Sequence, residues 1–152
     1  MMPPLSNNRK PTTPNLLELP AKLENLPRFM TFVCEQARQF DFTDKRTLEI
    51  ELVLEEALVN VIEYAYPAEQ PGNLILHLEG KHDGKLHLEI KDRGVSFNPL
   101  ERAAPDLEAE LMERPIGGLG IFLMKELTDG ITWHREDNEN CLSIIFEPRH
   151  VK

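Results

Sequence analysis

Residues 43–67 read TDKRTLEIELVLEEALVNVIEYAYP, and the organisation of the whole chain follows from this stretch. Ile50, Val53, Leu54, Ala57, Leu58, Val61 and Ala65 recur at spacings of three and four, one continuous apolar stripe on a helix. Thr43 is a good N-cap. Arg46 stands where a capping box would carry Glu or Gln, so only a one-sided cap is expected. Pro67 forbids continuation and biases Tyr66 away from helical backbone. Inside this helix Glu56 and Asn60 lie four residues apart and project from neighbouring points of one face, which Glu63 continues. Asn is a poor residue for a helix interior, because its side chain competes for backbone hydrogen bonds. Its carbonyl can ligate a hard cation such as magnesium, and a carboxylate one turn away can take a proton from a nucleophile. The same spacing also describes a solvated polar face carrying one ordinary Asn.

Working outward, an earlier helix is expected between Lys22 and Phe40, where Leu26, Phe29, Met30, Val33 and Ala37 keep helical spacing and Pro27 falls in the first turn. Asn15–Leu19 is a short strand candidate. Beyond Pro67, Leu74, Leu76 and Leu78 alternate with polar or outward residues, as do Leu86, Leu88 and Ile90, with Gly80–Gly84 as the hairpin loop between them. A polar segment from Asn98 to Ile116 holds a short helical stretch at Asp106–Met112, and a further helix runs from Leu119 to Leu127. Ile131–Arg135 and Cys141–Phe146 form a second hairpin around an Asp137–Asn140 loop. The economical packing of this order is a two-layer α/β sandwich, helices on one face of a mostly antiparallel mixed sheet.

Composition narrows the function. The chain has 152 residues, room for one domain with a single core and a short tail; residues 1–14, polar and proline-rich, are expected to be that tail. A net charge of −9 with no Lys/Arg cluster longer than a pair argues against a nucleic-acid backbone or an anionic membrane as partner. No apolar run is long enough for a membrane span, and the N-terminus does not read as a signal peptide, so the expected location is cytoplasmic. Cys34 and Cys141 match no metal or redox spacing and are expected to be small buried hydrophobes.

Two further motifs carry chemistry. Asp92-Arg93-Gly94 closes the second strand of the first hairpin, and Asp92 shares the parity of Leu86, Leu88 and Ile90, so its carboxylate is directed at the helix-covered face. Such a group needs a donor, since burying it unpaired is costly. An adenine amino group would serve, and so would a simple turn at the sheet edge. Gly117-Gly118-Leu119-Gly120 then opens a helix. Closely spaced glycines let the backbone approach a phosphate, and a helix N-terminus presents free N–H groups to it. A plain hinge before a helix has the same composition. His134-Arg135-Glu136 is similar to a kinase H-R-D loop, but no V-A-I-K or D-F-G text accompanies it.

Taken in order, an E-x-x-x-N helix, D-x-G after a strand, a lid-like loop at about 100–117 and G-x-G opening a helix resemble the Bergerat (GHKL) nucleotide fold over residues 15–147. Glu-Glu-Ala-Leu-Val-Asn (55–60) and Gly-Gly-Leu-Gly-Ile-Phe-Leu-Met-Lys (117–125) are especially similar to the anti-sigma-factor serine/threonine kinase branch. The resemblance implies one ATP-binding domain over residues 15–152. It implies Glu56 as general base, Asn60 as Mg2+ ligand and Asp92 as acceptor of the adenine amino group. Gly94 would admit the base, and Gly117, Gly118, Leu119 and Gly120 would cradle the phosphates of ATP. The implied reaction is phosphorylation of a STAS-domain anti-anti-sigma protein, with a sigma factor as second partner and a homodimer as assembly; Phe32 and Phe40 on the first helix would suit such an interface. A non-catalytic, ATP-dependent partner-binding module and a detached histidine-kinase-like domain are the other functions this text permits. One departure stands out: the family's D-x-G-x-G-F-D-P is here Asp92-Arg-Gly-Val-Ser-Phe-Asn-Pro99, with Ser96 for a glycine and Asn98 for an aspartate. A positive φ at Ser96 would strain the turn.

Overall fold

The computed structural model describes residues 15–101 and 118–148. The expected tail (1–14), the Asp106–Met112 helical stretch, Gly117 and nearly all of the lid-like loop lie outside the described residues. Five strands, β1 (Asn15–Pro20), β2 (Asn73–Gly80), β3 (Leu86–Asp92), β4 (Gly130–Glu136) and β5 (Glu139–Phe146), form a sheet in the order β1-β2-β3-β5-β4. All four pairings are antiparallel, so the sheet among the described residues is not mixed. Among the described residues three α-helices, α1 (Leu26–Gln39), α2 (Asp44–Tyr64) and α3 (Gly118–Leu127), cover one face. The parity of the sequence explains which face. Leu74, Leu76, Leu78, Leu86, Leu88, Ile90, Leu142, Ile144 and Phe146 are all buried under the helices, and the residues between them on β2 and β3 are half-buried on the opposite side.

The stripe of α2 is buried along its length, from Ile50 to Ala65. Its cap is the one-sided one: Thr43 Oγ1 accepts from the Arg46 N–H at 3.0 Å. The Arg46 side chain, instead of lying on the surface, is 2% exposed. It donates through Nε to Glu147 O at 2.9 Å and through Nη1 to Glu49 at 2.8 Å and Leu127 O at 2.6 Å. It also pairs with Asp129 and lies over the Phe146 ring. One guanidinium thereby ties the start of α2, the C-terminal end of α3 and the end of β5, with its planar fork of donors matched to carbonyl and carboxylate acceptors.

Three expectations are corrected. The second hairpin turns on Asp137 and Asn138 alone, both at positive φ, with Glu136 paired to Glu139 and Asn140 inside β5. Two consecutive positive-φ residues match the twist of the flanking strands better than a longer loop, and Asp and Asn tolerate that backbone. Phe40 is a core residue, 4% exposed, and Phe32 packs half-buried against the core, so neither is an exposed interface residue. Ser96 is not among the positive-φ residues, so the altered turn carries no strain of that kind. The cysteines behave as read: both are buried, and burial pushes the Cys34 thiol up to about 11, with Glu51 adding to the effect.

Candidate functional site

Two of the sequence motifs meet directly. A Cβ placed on Gly120 at the start of α3 would lie 1.9 Å from Cδ of Glu56 on α2. Glycine there lets the carboxyl group lie against the α3 backbone; a side chain would push it aside. One turn along α2, Asn60 is 2% exposed and its Nδ2 donates to Glu56 O at 2.9 Å and to Glu56 Oε2 at 3.0 Å. The amide hydrogens are therefore turned onto Glu56, which points the amide's carbonyl oxygen the other way. Glu63, one more turn along, is exposed and adds nothing to this group. Gly118 and Leu119 are the first residues of α3, directly before the Gly120 that abuts Glu56.

The third motif stands farther along α2. Asp92, at the end of β3, is 3% exposed and faces the helix side as its parity requires. Its Oδ1 accepts from the Gly94 N–H at 2.8 Å and from Asn140 Nδ2 at 2.9 Å. The donors that sequence parity demanded thus come from the chain itself. Asn140 also donates to Val95 O at 2.7 Å, and its Oδ1 accepts from Arg135 Nη1 at 2.9 Å. Burial raises the Asp92 carboxyl above its ordinary range, while the Asn140 and Gly94 hydrogen bonds and the Arg135 charge act against the rise. The loop beyond is pinned to α2. A Cβ on Gly94 would lie 1.9 Å from Ala65 O, Val95 N donates to that same oxygen at 2.8 Å, and the Phe97 ring stacks on Tyr64 with centroids 5.3 Å apart. Gly94 is therefore needed first for contact with α2. Asn98, in place of the family aspartate, still caps the next turn: its Oδ1 accepts from Leu100 N at 2.9 Å.

The two glycines mark α2 like graduations. Gly120 abuts it at Glu56 and Gly94 at Ala65, nine residues farther on, which is about 13 Å along the helix axis. The sequence profile of the histidine kinase-like ATPase domain family matches residues 19–146, which takes in all three motifs. The chain belongs to this family. Among curated relatives of this histidine kinase-like ATPase domain, the serine-protein kinase RsbW of Listeria innocua is 27% identical over 128 residues, spanning 80% of this chain and 79% of the relative. The anti-sigma F factor of Geobacillus kaustophilus is 26% identical over 135 residues, 89% of this chain and 90% of that one. The fold agrees. The RsbU and RsbW domains of a Mycobacterium tuberculosis protein superpose with a TM-score of 0.64 at 14% identity, over 91% of this chain and 33% of that one. The histidine kinase domain of a blue-light-activated kinase from Erythrobacter litoralis does so with a TM-score of 0.53 at 14% identity, over 80% and 60%. Among the described residues no helix is long and apolar enough to cross a membrane.

Sequence reasoning missed Asn140 and Arg135. Four polar residues in a row, Asp137 to Asn140, place Asn140 in a loop on the sequence alone. Yet it shares the parity of Leu142, Ile144 and Phe146, and it stands opposite Asp92 in the β3–β5 register. That parity is the signal that could have found it.

Proposed function

We propose that this chain binds ATP with Mg2+ and transfers the γ-phosphoryl group to a serine or threonine of a STAS-domain anti-anti-sigma protein, with a sigma factor as the alternative partner. The observation that carries the reading is the contact of Glu56 with Gly120. It brings a carboxylate against a glycine-opened helix N-terminus, with a buried Asn one turn away and, about 13 Å farther along α2, the Gly94 turn that follows the buried Asp92. In this reading the backbone of Gly117, Gly118, Leu119 and Gly120 receives the phosphates, where N–H groups and the helix dipole favour negative charge. Asp92 accepts from the adenine amino group.

The residues present fit a magnesium ion. Its hydrogens turned onto Glu56, Asn60 offers a carbonyl oxygen, the hard donor that Mg2+ prefers, and an ATP-bound Mg2+ takes one or two protein ligands and fills its remaining positions with phosphate and water. When bound, the ion neutralises charge on the phosphates. Glu56 takes the proton of the attacking hydroxyl as its oxygen bonds to the γ-phosphorus and ADP leaves. One ATP-binding domain over residues 15–152, a homodimer and a cytoplasmic location belong to the same proposal. Relatives carrying the words "serine-protein kinase" and "anti-sigma" in their names support it.

The test is incubation of the full chain with labelled ATP, Mg2+ and a candidate STAS-domain protein. The expected result is acid-stable phosphate on the partner, lost with Glu56→Ala or Asn60→Ala. Transfer at the unmodified rate by Glu56→Ala would remove the general-base role. Saturable ATP binding with partner capture but no transfer would identify a non-catalytic module, and acid-labile phosphate a histidine-kinase-like activity.

A further inference from the structure

We infer that Asn140 and Arg135 are positioning residues that set which nucleobase this site accepts, by fixing the hydrogen-bond pattern of Asp92. The inference rests on the nucleotide-binding reading above and goes beyond it to base selectivity. Asn140 is 2% exposed and sits opposite Asp92 across the β3–β5 pair. Its amide has one possible orientation. The Arg135 guanidinium, 2.9 Å away, can only donate, so it must face the amide oxygen. Val95 O, at 2.7 Å, can only accept, so it must face the amide nitrogen. Arg135 is itself held, because the same Nη1 donates to Gly94 O at 3.1 Å.

With the amide locked, Asn140 presents a donor to Asp92 Oδ1, beside the donor of Gly94. Burial, the largest influence, raises the Asp92 carboxyl and the Glu139 carboxylate adds to it, while the two hydrogens of Asn140 and Gly94 on one oxygen and the Arg135 charge act for the ionised form. Among the described residues Oδ2 receives no hydrogen bond, so the ionised group offers an acceptor with no donor. A purine with an amino group at its six position supplies the complementary hydrogen. One with an oxygen there sets acceptor against acceptor. If Asn140 turned over or became a carboxylate, Asp92 would retain a proton, offer it as a donor and admit the oxygen-bearing base. The selectivity for an amino-purine therefore comes from β4 and β5, two residues that do not face the base themselves.

The experiment is competition binding of ATP and ITP, which differ in the amino or oxo group at this position, to the full chain and to Asn140→Asp and Arg135→Met. The unmodified protein is expected to prefer ATP. Asn140→Asp should lower the ATP-over-ITP ratio by about tenfold or more, the scale of a satisfied against a mismatched buried hydrogen bond. Arg135→Met, on the half-exposed edge strand β4, should lower the ratio in the same direction by a smaller factor. A purely structural role would weaken both nucleotides together and leave the ratio where it was. ATP binding with an unchanged ratio in the variants overturns the inference alone. If Asn140→Asp does not fold, the ratio in Arg135→Met decides. An unmodified chain that binds neither nucleotide overturns the nucleotide reading, and this inference with it.

Discussion

The Asp92 end and the Glu56 end of the candidate site are built on opposite plans. At Asp92 the partners come from several elements: β3, β4, β5 and the turn after β3 contribute to one buried network, itself pinned to the end of α2. At Glu56, Asn60 donates from one turn along the same helix, and α3 contributes a glycine whose lack of a side chain is what matters. The first end is a finished piece of core that happens to contain a carboxylate. The second is a carboxylate laid directly against the backbone of a neighbouring helix. A base has a fixed pattern of donors and acceptors, which a prebuilt network can match. A phosphate chain in transfer develops negative charge, which backbone N–H groups aimed at it can stabilise.

The same substitution should separate the two ends. Gly120→Ala meets only the far end of a flexible side chain, so Glu56 swings aside and the fold survives. Phosphoryl transfer should fall about 100-fold, the cost of displacing a catalytic group by about an ångström, with little change in the thermal transition. Gly94→Ala meets the Ala65 backbone instead. It should destabilise the protein by about 2 kcal/mol in denaturant unfolding, with nucleotide affinity lost in proportion to unfolding. If Gly120→Ala proves the more destabilising and the more active, the contrast between the ends is wrong.

Asp92→Asn sharpens the comparison further. Burial raises the native carboxyl above the ordinary 3.8, so the native state holds its proton to higher pH than the unfolded chain. The native state then binds more protons between those two values, and stability falls as pH rises through that window and is level above it. Asn at 92 keeps an oxygen for Gly94 and Asn140 but no charge. Unfolding at pH 7 should show a gain of up to about 1 kcal/mol, with the acid-side slope reduced and nucleotide binding lost. A destabilised variant would mean that the network needs the charge. The smallest effect is expected away from both ends. Cys34 and Cys141, their thiols raised by burial, should resist alkylation at pH 8 in the native chain and react once it is unfolded.

Local pattern carried most of the fold. The stripe from Ile50 to Ala65, the alternation in β2 and β3 and the proline at 67 act over a few residues, and α2, β2 and β3 form where these signals put them. What could not be read depended on partners far away in sequence. Arg46 looks like a surface cation until the C-terminal carbonyl of α3 and Asp129 are brought to it. Asn140 looks like loop polarity until the strand register sets it across from Asp92. In the candidate site, order alone singles out Glu56, Asn60, Asp92 and the glycines, whereas their contacts cannot be read from it: the closeness of Gly94 to Ala65, and of Gly120 to Glu56, exists only once the helices share one face of the sheet.

Arg46 has a mechanical consequence. It grips Leu127 O and Asp129 at one end of α3, while the other end begins at the glycines beside Glu56. A rod clamped at one end yields by pivoting rather than sliding. The ten residues of α3 make an arm of about 15 Å, so a tilt of a few degrees at Leu127 sweeps Gly118 by about an ångström. The part of the helix that moves most is then the part that adjoins Glu56, and the guanidinium that sets the fulcrum lies at the far end of the arm.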